Sequence, residues 1–220
     1  MTAEGHDVQA GLTTVHLVRH GEVFNPQRVL YGRLPGFRLS TAGVRQAQVT
    51  AEFLARHDIA AVVASPLERA RQTAAPIATS CGVTVEVDPR LIESRSFFEG
   101  KRFEAGPGLL RDPRMWKVLS NPFEPSWGEP YTEIAERMLA AVAEWRVAFP
   151  GREVVLVSHQ LPVWTTRRAL EGHRLWHRPD RRQCALASVT SAVYSGDQLV
   201  RVDYTEPNGP SVDRAGSVGA

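Results

Sequence analysis

The sequence predicts an α/β protein, a three-layer α/β/α sandwich on a mainly parallel central sheet with an antiparallel strand at its C-terminal end. Three observations predict it. Apolar, β-branched runs alternate with stretches of helical periodicity from Thr13 to Val87 and again from Thr132 to residue 171, the rhythm of βαβ units. The runs are short and bounded by Gly, Pro, Ser or Asp, as buried strands are. The last two apolar segments are instead joined by Ser195-Gly196-Asp197-Gln198, a hairpin turn that brings antiparallel pairing into the sheet.

Thr13 to Val18 reads as the first strand, because it is β-branched and apolar and meets a turn signal at Gly21. Ser40 or Thr41 can cap a helix running through Arg56, with Val44, Ala47, Ala51 and Leu54 at helical spacing. Ile59 to Ala64 is the second strand and Leu67 to Thr79 the second helix, Pro66 lying where a first-turn proline is tolerated. Val83 to Val87 is the third strand. From Asp88 to about Tyr131 the pattern breaks into an irregular region rich in Pro, Gly and aromatics, and long insertions of this kind often cover sites. Ile134, Met138, Ala141, Val142 and Trp145 restore helical periodicity over Thr132 to Phe149, and Pro150-Gly151 ends it before the strand Glu153 to Val157. A helix over 161–171 follows despite Pro162, and the hairpin pairs Ala187–Tyr194 with Leu199–Tyr204.

The length of 220 residues suits one domain that can bury a core without disulfides or a structural metal. That domain is expected over 12–204, with a flexible N-terminus over 1–11, an insertion at about 94–131 and a flexible tail over 205–220. With 26 basic against 24 acidic side chains, the chain has no charge excess of the kind that nucleic-acid or membrane surfaces need. No segment approaches the ~20 apolar residues of a membrane span, and the N-terminus lacks a basic start and apolar stretch, so a cytoplasmic protein is expected. Cys81 and Cys184 stand far apart and read as reduced thiols.

Ligands of open α/β sheets bind beyond the carboxyl ends of the strands, and there this sequence places Arg19 and His20, then Arg69, then His159. A neutral imidazole can attack phosphorus in line while guanidiniums hold the equatorial oxygens through permanently charged, bidentate contacts. His159, if protonated, would donate to a phosphoryl oxygen where negative charge concentrates. This chemistry needs no divalent metal. A leaving alkoxide needs an acid whose conjugate base can later activate water. Glu93, just beyond the third strand, is the candidate and Glu22, beside His20, its rival.

These residues resemble the histidine phosphatase superfamily, also called phosphoglycerate mutase-like. Arg19-His20-Gly21-Glu22 is similar to its Arg-His-Gly-Glu, and Ser65 to Ala74 is similar to its Ser-Pro-Leu-x-Arg-Ala-x-Gln-Thr-Ala. Leu91-Ile92-Glu93 matches its Leu-x-Glu, Val157-Ser158-His159 its Val-Ser-His, and Leu39 to Ala47 its Leu-Thr-x-x-Gly-x-x-Gln-Ala, so the resemblance covers roughly residues 13–200. It implies a histidine acid-type phosphatase with His20 as phosphorylated nucleophile, Arg19, Arg69 and His159 as phosphate pocket and Glu93 as proton donor. It implies no cofactor. Asn25 stands one residue early for the family's Asn and is expected to bind phosphate. Gln160 replaces the usual Gly after His159 and is expected to touch substrate. The stretch after Glu93 is one residue shorter and lacks a Trp, and Gly128-Glu129-Pro130 stands for Gly-Glu-Ser.

The expected function is therefore a metal-independent phosphomonoesterase acting on a small phosphate ester, with no nucleic-acid or membrane partner. The oligomeric state stays open, a homodimer being one option. The alternatives are a mutase-type phosphotransferase and a catalytically silent phospholigand-binding protein. His16, His57, His173 and His177 read as structural, the last two lacking a further metal ligand. Arg178, Arg181 and Arg182 read as a solvated cluster, as do Lys101, Arg102, Arg111, Arg114 and Lys117, while Trp116, Phe123, Trp127 and Tyr131 read as packing for the insertion.

Overall fold

The computed structural model describes residues 11–101 and 128–210. Six strands form one sheet: β1 (Thr13–Arg19), β2 (Ile59–Ala64), β3 (Val85–Val87), β4 (Glu153–Ser158), β5 (Val189–Ser195) and β6 (Gln198–Thr205). Their order across the sheet is β3-β2-β4-β1-β5-β6. β3, β2, β4 and β1 are mutually parallel, β5 pairs antiparallel with β1, and β6 pairs antiparallel with β5. Among the described residues, four α-helices flank the sheet: α1 (Thr41–Leu54), α2 (Glu68–Cys81), α3 (Tyr131–Ala148) and α4 (Gln160–Leu170).

Alternation along the strands divides the core between two faces. On one face Val15, Leu17, Val154 and Leu156 pack against Ile134 and Met138 of α3 and Val163 and Trp164 of α4. On the other Val18, Val155 and Val157 pack against Ala51 and Leu54 of α1 and Ala70 and Ile77 of α2. Leu17, Ile77 and Leu156 are fully buried, each contributing about 1.5–3 kcal/mol. The strand β1, covered on both faces, delivers Arg19 and His20 to the carboxyl edge of the sheet.

Helix ends explain where the sequence reading and the structure part. Val83, expected in a strand, instead closes α2: Gly82 is left-handed with φ 70°, its N–H donates to Thr79 O, and Val83 N–H donates to Ala78 O, a Schellman cap. β3 is accordingly only three residues long. Pro162 is the third residue of α4, where a backbone N–H has no helical partner to lose. The tail expected from residue 205 begins later: β6 includes Thr205, and Asn208 Nδ2 donates to Gln46 O and Thr50 Oγ1 on α1. At the insertion, Ser96 bridges Gly128 and Glu129 N–H donates to Arg95 O at 3.1 Å, joining the two described ends. Arg102, Arg111, Arg114, Lys117, Trp116, Phe123 and Trp127 lie outside the described residues, as do most of the expected N-terminal and C-terminal tails. Cys81 and Cys184 are unpaired.

Candidate active site

The position of His20 depends on two glycines. A Cβ on Gly21 would lie 2.6 Å from Gly43 O, and one on Gly43 would lie 2.0 Å from Glu22 O, so only hydrogens let the chain after β1 run against the start of α1. Ser40 caps that helix by accepting from Gly43 N–H, and its hydroxyl donates to Glu22 Oε1 at 2.5 Å. Glu22 is exposed and serves this cap. The rival acid is thereby accounted for by helix geometry.

His20 is fully buried. Its Nδ1 lies 2.8 Å from Gly21 O, a carbonyl that can only accept, which assigns the proton to Nδ1 and leaves Nε2 bare. Arg69 Nε–H donates to that Nε2 at 3.3 Å. Burial, then Arg69, then Arg19 push the imidazole well below its usual range, so it is neutral across physiological pH.

Arg69 is held from both ends. Its Nη2 donates to Gly32 O at 2.6 Å, and its guanidinium lies 4.7 Å from the centre of the Tyr31 ring. Thr73, one helical turn on, accepts from Gly21 N–H and donates to Arg69 O, tying α2 to the strand end. Arg19 donates through Nη1 to Cys184 O at 2.7 Å, while its buried Nε has no partner. Neither arginine has a carboxylate partner among the described residues' ion pairs.

His159 caps α4 at the end of β4, and its ring centre lies 5.1 Å from that of His20. Nε2 lies 2.8 Å from Ser65 Oγ, and Nδ1 is buried without a partner, 4.0 Å from Glu93 Oε2. A protonated imidazole is one state the sequence allows here. Burial foremost, with Arg69, His20, Arg137 and Arg19 adding to it, holds His159 well below the usual range, so it is neutral. With Ser65 donating to Nε2, a neutral ring still offers Nδ1–H to an incoming oxygen.

Glu93 is also buried, its Oε1 accepting from Ser94 N–H at 2.8 Å and Ser94 Oγ at 3.3 Å, its Oε2 unpartnered. Burial raises its carboxyl above the usual range against the opposing pull of Ser94, Arg69, Arg19 and Arg182, as a proton donor requires. A cavity of about 140 Å³ lies on its outer side, lined by Ser94, Arg95, Tyr131, Leu161 and Arg182 among others.

Two of the expected site residues have other work. Asn25 accepts from Val29 N–H and donates to Val29 O, closing its own loop at both ends of its amide. Gln160 begins α4, and its Oε1 accepts from Arg182 Nη1 at 3.4 Å. Arg182, expected in a solvated cluster, is half-buried; its Nε donates to His177 Nε2 at 2.9 Å and it bonds Tyr131.

Glu129 was missed as a support. It is buried, bonded to Arg33 Nη2 at 2.8 Å and Arg137 Nε at 2.7 Å. Arg33 Nε in turn donates to Glu93 O, and Arg137 Nη1 to Arg90 O, so Glu129 braces the loop that carries Glu93. The sole signal in the sequence was the Gly-Glu pair beside the insertion's end.

Comparison with known proteins agrees with this geometry. An uncharacterized protein of Mycobacterium tuberculosis, Rv0525, is 62% identical over 195 residues, covering 89% of this chain and 96% of its own. A probable phosphoglycerate mutase, GpmB, of Yersinia pestis is 33% identical over 184 residues, covering 80% and 83%. Among solved structures, the mycobacterial glucosyl-3-phosphoglycerate phosphatase Rv2419c complexed with VO3 aligns with TM-score 0.72 and 26% identity, over 88% of this chain and 98% of that one. The model of the histidine phosphatase superfamily (branch 1) matches residues 15–206, and to that superfamily this chain belongs.

Proposed function

We propose that this chain is a metal-independent phosphomonoesterase that hydrolyses a small phosphate ester through a phosphohistidine on His20. The observation that carries the reading is His20 itself, neutral, with Nδ1–H fixed on Gly21 O and Nε2 bare between two arginines that have no acidic partner among the described residues.

In the first step the Nε2 lone pair bonds to phosphorus as the ester P–O bond breaks. Arg69 turns its Nε–H from the imidazole to a non-bridging oxygen, Arg19 holds another, and His159 Nδ1–H donates where charge builds. The leaving oxygen takes the proton of Glu93. In the second step the Glu93 carboxylate removes a proton from water, whose oxygen bonds to phosphorus as the N–P bond breaks. Orthophosphate leaves, and both His20 and Glu93 return to their starting states.

The solved phosphatase at 26% identity supports hydrolysis. The relative named as a probable mutase favours a second reading, transfer of the phosphoryl group to another hydroxyl before water reaches it. A silent phospholigand-binding protein is the third. The small cavity beside Glu93 supports a small-molecule substrate rather than a nucleic acid or a membrane surface. No helix among the described residues is long and apolar enough to cross a membrane, and a cytoplasmic location belongs to the same proposal.

The test is hydrolysis of an aryl phosphate in EDTA by the unaltered protein and by His20→Ala. Activity lost only in the variant is expected. Activity that survives in His20→Ala, or that EDTA abolishes in the unaltered protein, would overturn the reading. A phosphoenzyme that persists in water and discharges to an added alcohol would identify the transferase, and phospholigand binding without turnover the silent protein.

A further inference from the structure

At the opposite end of the sheet lies a second cluster of chemistry-bearing side chains that the phosphate site does not use. His16, on β1, and Glu153, the first residue of β4, share the sheet face that α1 and α2 cover, since Thr14 pairs with Glu153 and His16 with Val155. His57, in the turn from α1 to β2, reaches the same point. Glu153 Oε2 lies 2.5 Å from His16 Nε2 and 3.0 Å from His57 Nδ1. His16 Nδ1 lies 2.8 Å from Ser191 Oγ. β1, β4 and the turn leading into β2 thus meet on one carboxylate, and β5 holds the far side of the His16 ring.

We propose that His16, His57 and Glu153 form a binding site for a divalent transition-metal ion of zinc type, separate from the catalytic pocket. Their ligand atoms all lie within 4.8 Å of one another. Two imidazoles and a carboxylate are a zinc donor set, which leaves a fourth position for water. Zinc at about 2.0–2.1 Å from each donor sets the donors roughly 3.3 Å apart, so the two contacts on Glu153 open by less than about 1 Å and the two imidazole nitrogens, within 4.8 Å of each other, close by up to about 1.5 Å. His57, at 31% side-chain exposure and carried on a turn, can supply that movement.

The second shell is also in place. To coordinate through Nε2, His16 must carry its proton on Nδ1, and Ser191 Oγ stands where that N–H needs an acceptor. His57 coordinating through Nδ1 turns its Nε2–H outward. The donors favour zinc, cobalt or nickel over magnesium or calcium, which prefer all-oxygen sites.

His16 precedes His20 by four residues along β1, about 13 Å at strand rise, so the ion acts on the fold and not on the phosphate. It would clamp the amino ends of β1 and β4 to the turn that launches β2.

The experiment is zinc titration of the EDTA-stripped protein by calorimetry, with cobalt absorption reporting tetrahedral ligation and thermal unfolding as the second readout. One zinc per chain is expected, with a midpoint rise of about 5–10 °C at a hundredfold excess over the dissociation constant. Magnesium is expected to give none. His57→Gln, whose amide can still donate to Glu153, should keep the metal-free stability and bind zinc more than tenfold more weakly, as should Glu153→Gln if the first variant fails to fold. His173→Ala should bind as the unaltered protein does. Zinc binding unaltered by His57→Gln would place the ion elsewhere, the His20–His159 pocket included, and would overturn the proposal, as would the lack of stoichiometric binding.

Discussion

Replacing Glu93 by Gln removes one ionisable proton and little else. Oε1 can keep both contacts from Ser94, and the amide nitrogen takes the place of Oε2, which has no partner to lose. The loss in rate is then the loss of general acid catalysis, about 10²–10⁴-fold, or about 2.7–5.5 kcal/mol of transition-state stabilisation. It depends on the leaving group. An alkyl phosphate, whose alkoxide must be protonated as it departs, should lose the whole factor in kcat/KM, and a nitrophenyl ester, whose anion leaves unaided, less than about tenfold. The pH profile gives an independent sign. Reaction needs neutral His20, so kcat/KM rises with pH through the lowered pKa of His20 and is complete well below neutrality. It also needs protonated Glu93, so kcat/KM falls as pH rises through that raised pKa. A phosphate monoester itself titrates near 6, so the alkaline limb is assigned by comparing enzymes: with the alkyl ester the part that belongs to Glu93 should disappear in Glu93→Gln, leaving only the titration of the ester. Steady-state rates for the two esters from pH 4 to 9 suffice. An equal loss for both esters, or an alkaline limb unchanged in the variant, would refute Glu93 as the acid.

Arg69→Lys should lower kcat/KM about 10²–10³-fold, because an ammonium cannot keep both the Gly32 carbonyl and the phosphate oxygens; Arg69→Ala should also move the acid limb upward, since one of the charges that depress His20 is gone. Gly43→Ala should destabilise the fold by about 1–3 kcal/mol, its Cβ lying 2.0 Å from Glu22 O, and lower the thermal midpoint by about 2–4 °C per kcal/mol. Gln160→Gly, which frees Arg182 Nη1 from Oε1, should change preference among a panel of phosphate esters more than the rate with a small aryl ester; equal changes on all substrates would count against it. Orthophosphate or vanadate at a hundredfold excess over its dissociation constant should raise the thermal midpoint by about 5–10 °C in the unaltered protein, and Arg19→Ala should lose most of that shift.

What was legible in the sequence is what local pattern controls. The run into Arg19-His20 could be read because a buried strand is apolar on both faces and its end is marked by Gly21. Arg69 and His159 could be read for the same reason, each following the end of a parallel strand. Val83 was misread because its side chain suits a strand, while its N–H is taken by a helix cap that depends on left-handed Gly82. The charge of His159 stays open in the sequence because titration depends on burial among arginines from β1, α2 and α3, which no local window contains. Glu129, Arg182 and Tyr31 were missed on the same ground. Their partners lie far away in sequence: Arg33 is 96 residues from Glu129, and Gln160 is 22 from Arg182. Asn25 stands one position out of register, and its amide is engaged at both ends by Val29, a loop contact that the motif alone does not announce.

The pairing of charge in this fold separates its scaffold from its pocket. Where the structure braces itself, cations meet carboxylates: Arg33 and Arg137 on Glu129, Arg90 on Asp88. In the pocket, Arg19 and Arg69 are buried to 2% and 1% exposure with carbonyl oxygens as acceptors, Arg19 Nε left over, and the nearest acid held toward its neutral form. Burying two guanidiniums without counter-charge costs several kcal/mol, and replacing one by an apolar group would relieve it. An unrelieved cost of this kind marks a place where the missing charge arrives with the ligand. On the function proposed above, a dianionic phosphoryl group would supply that charge to both arginines and acceptors to the two orphaned atoms, Arg19 Nε and His159 Nδ1. It would also draw Arg69 Nε–H away from His20, so that binding the phosphate would expose the lone pair proposed to attack it.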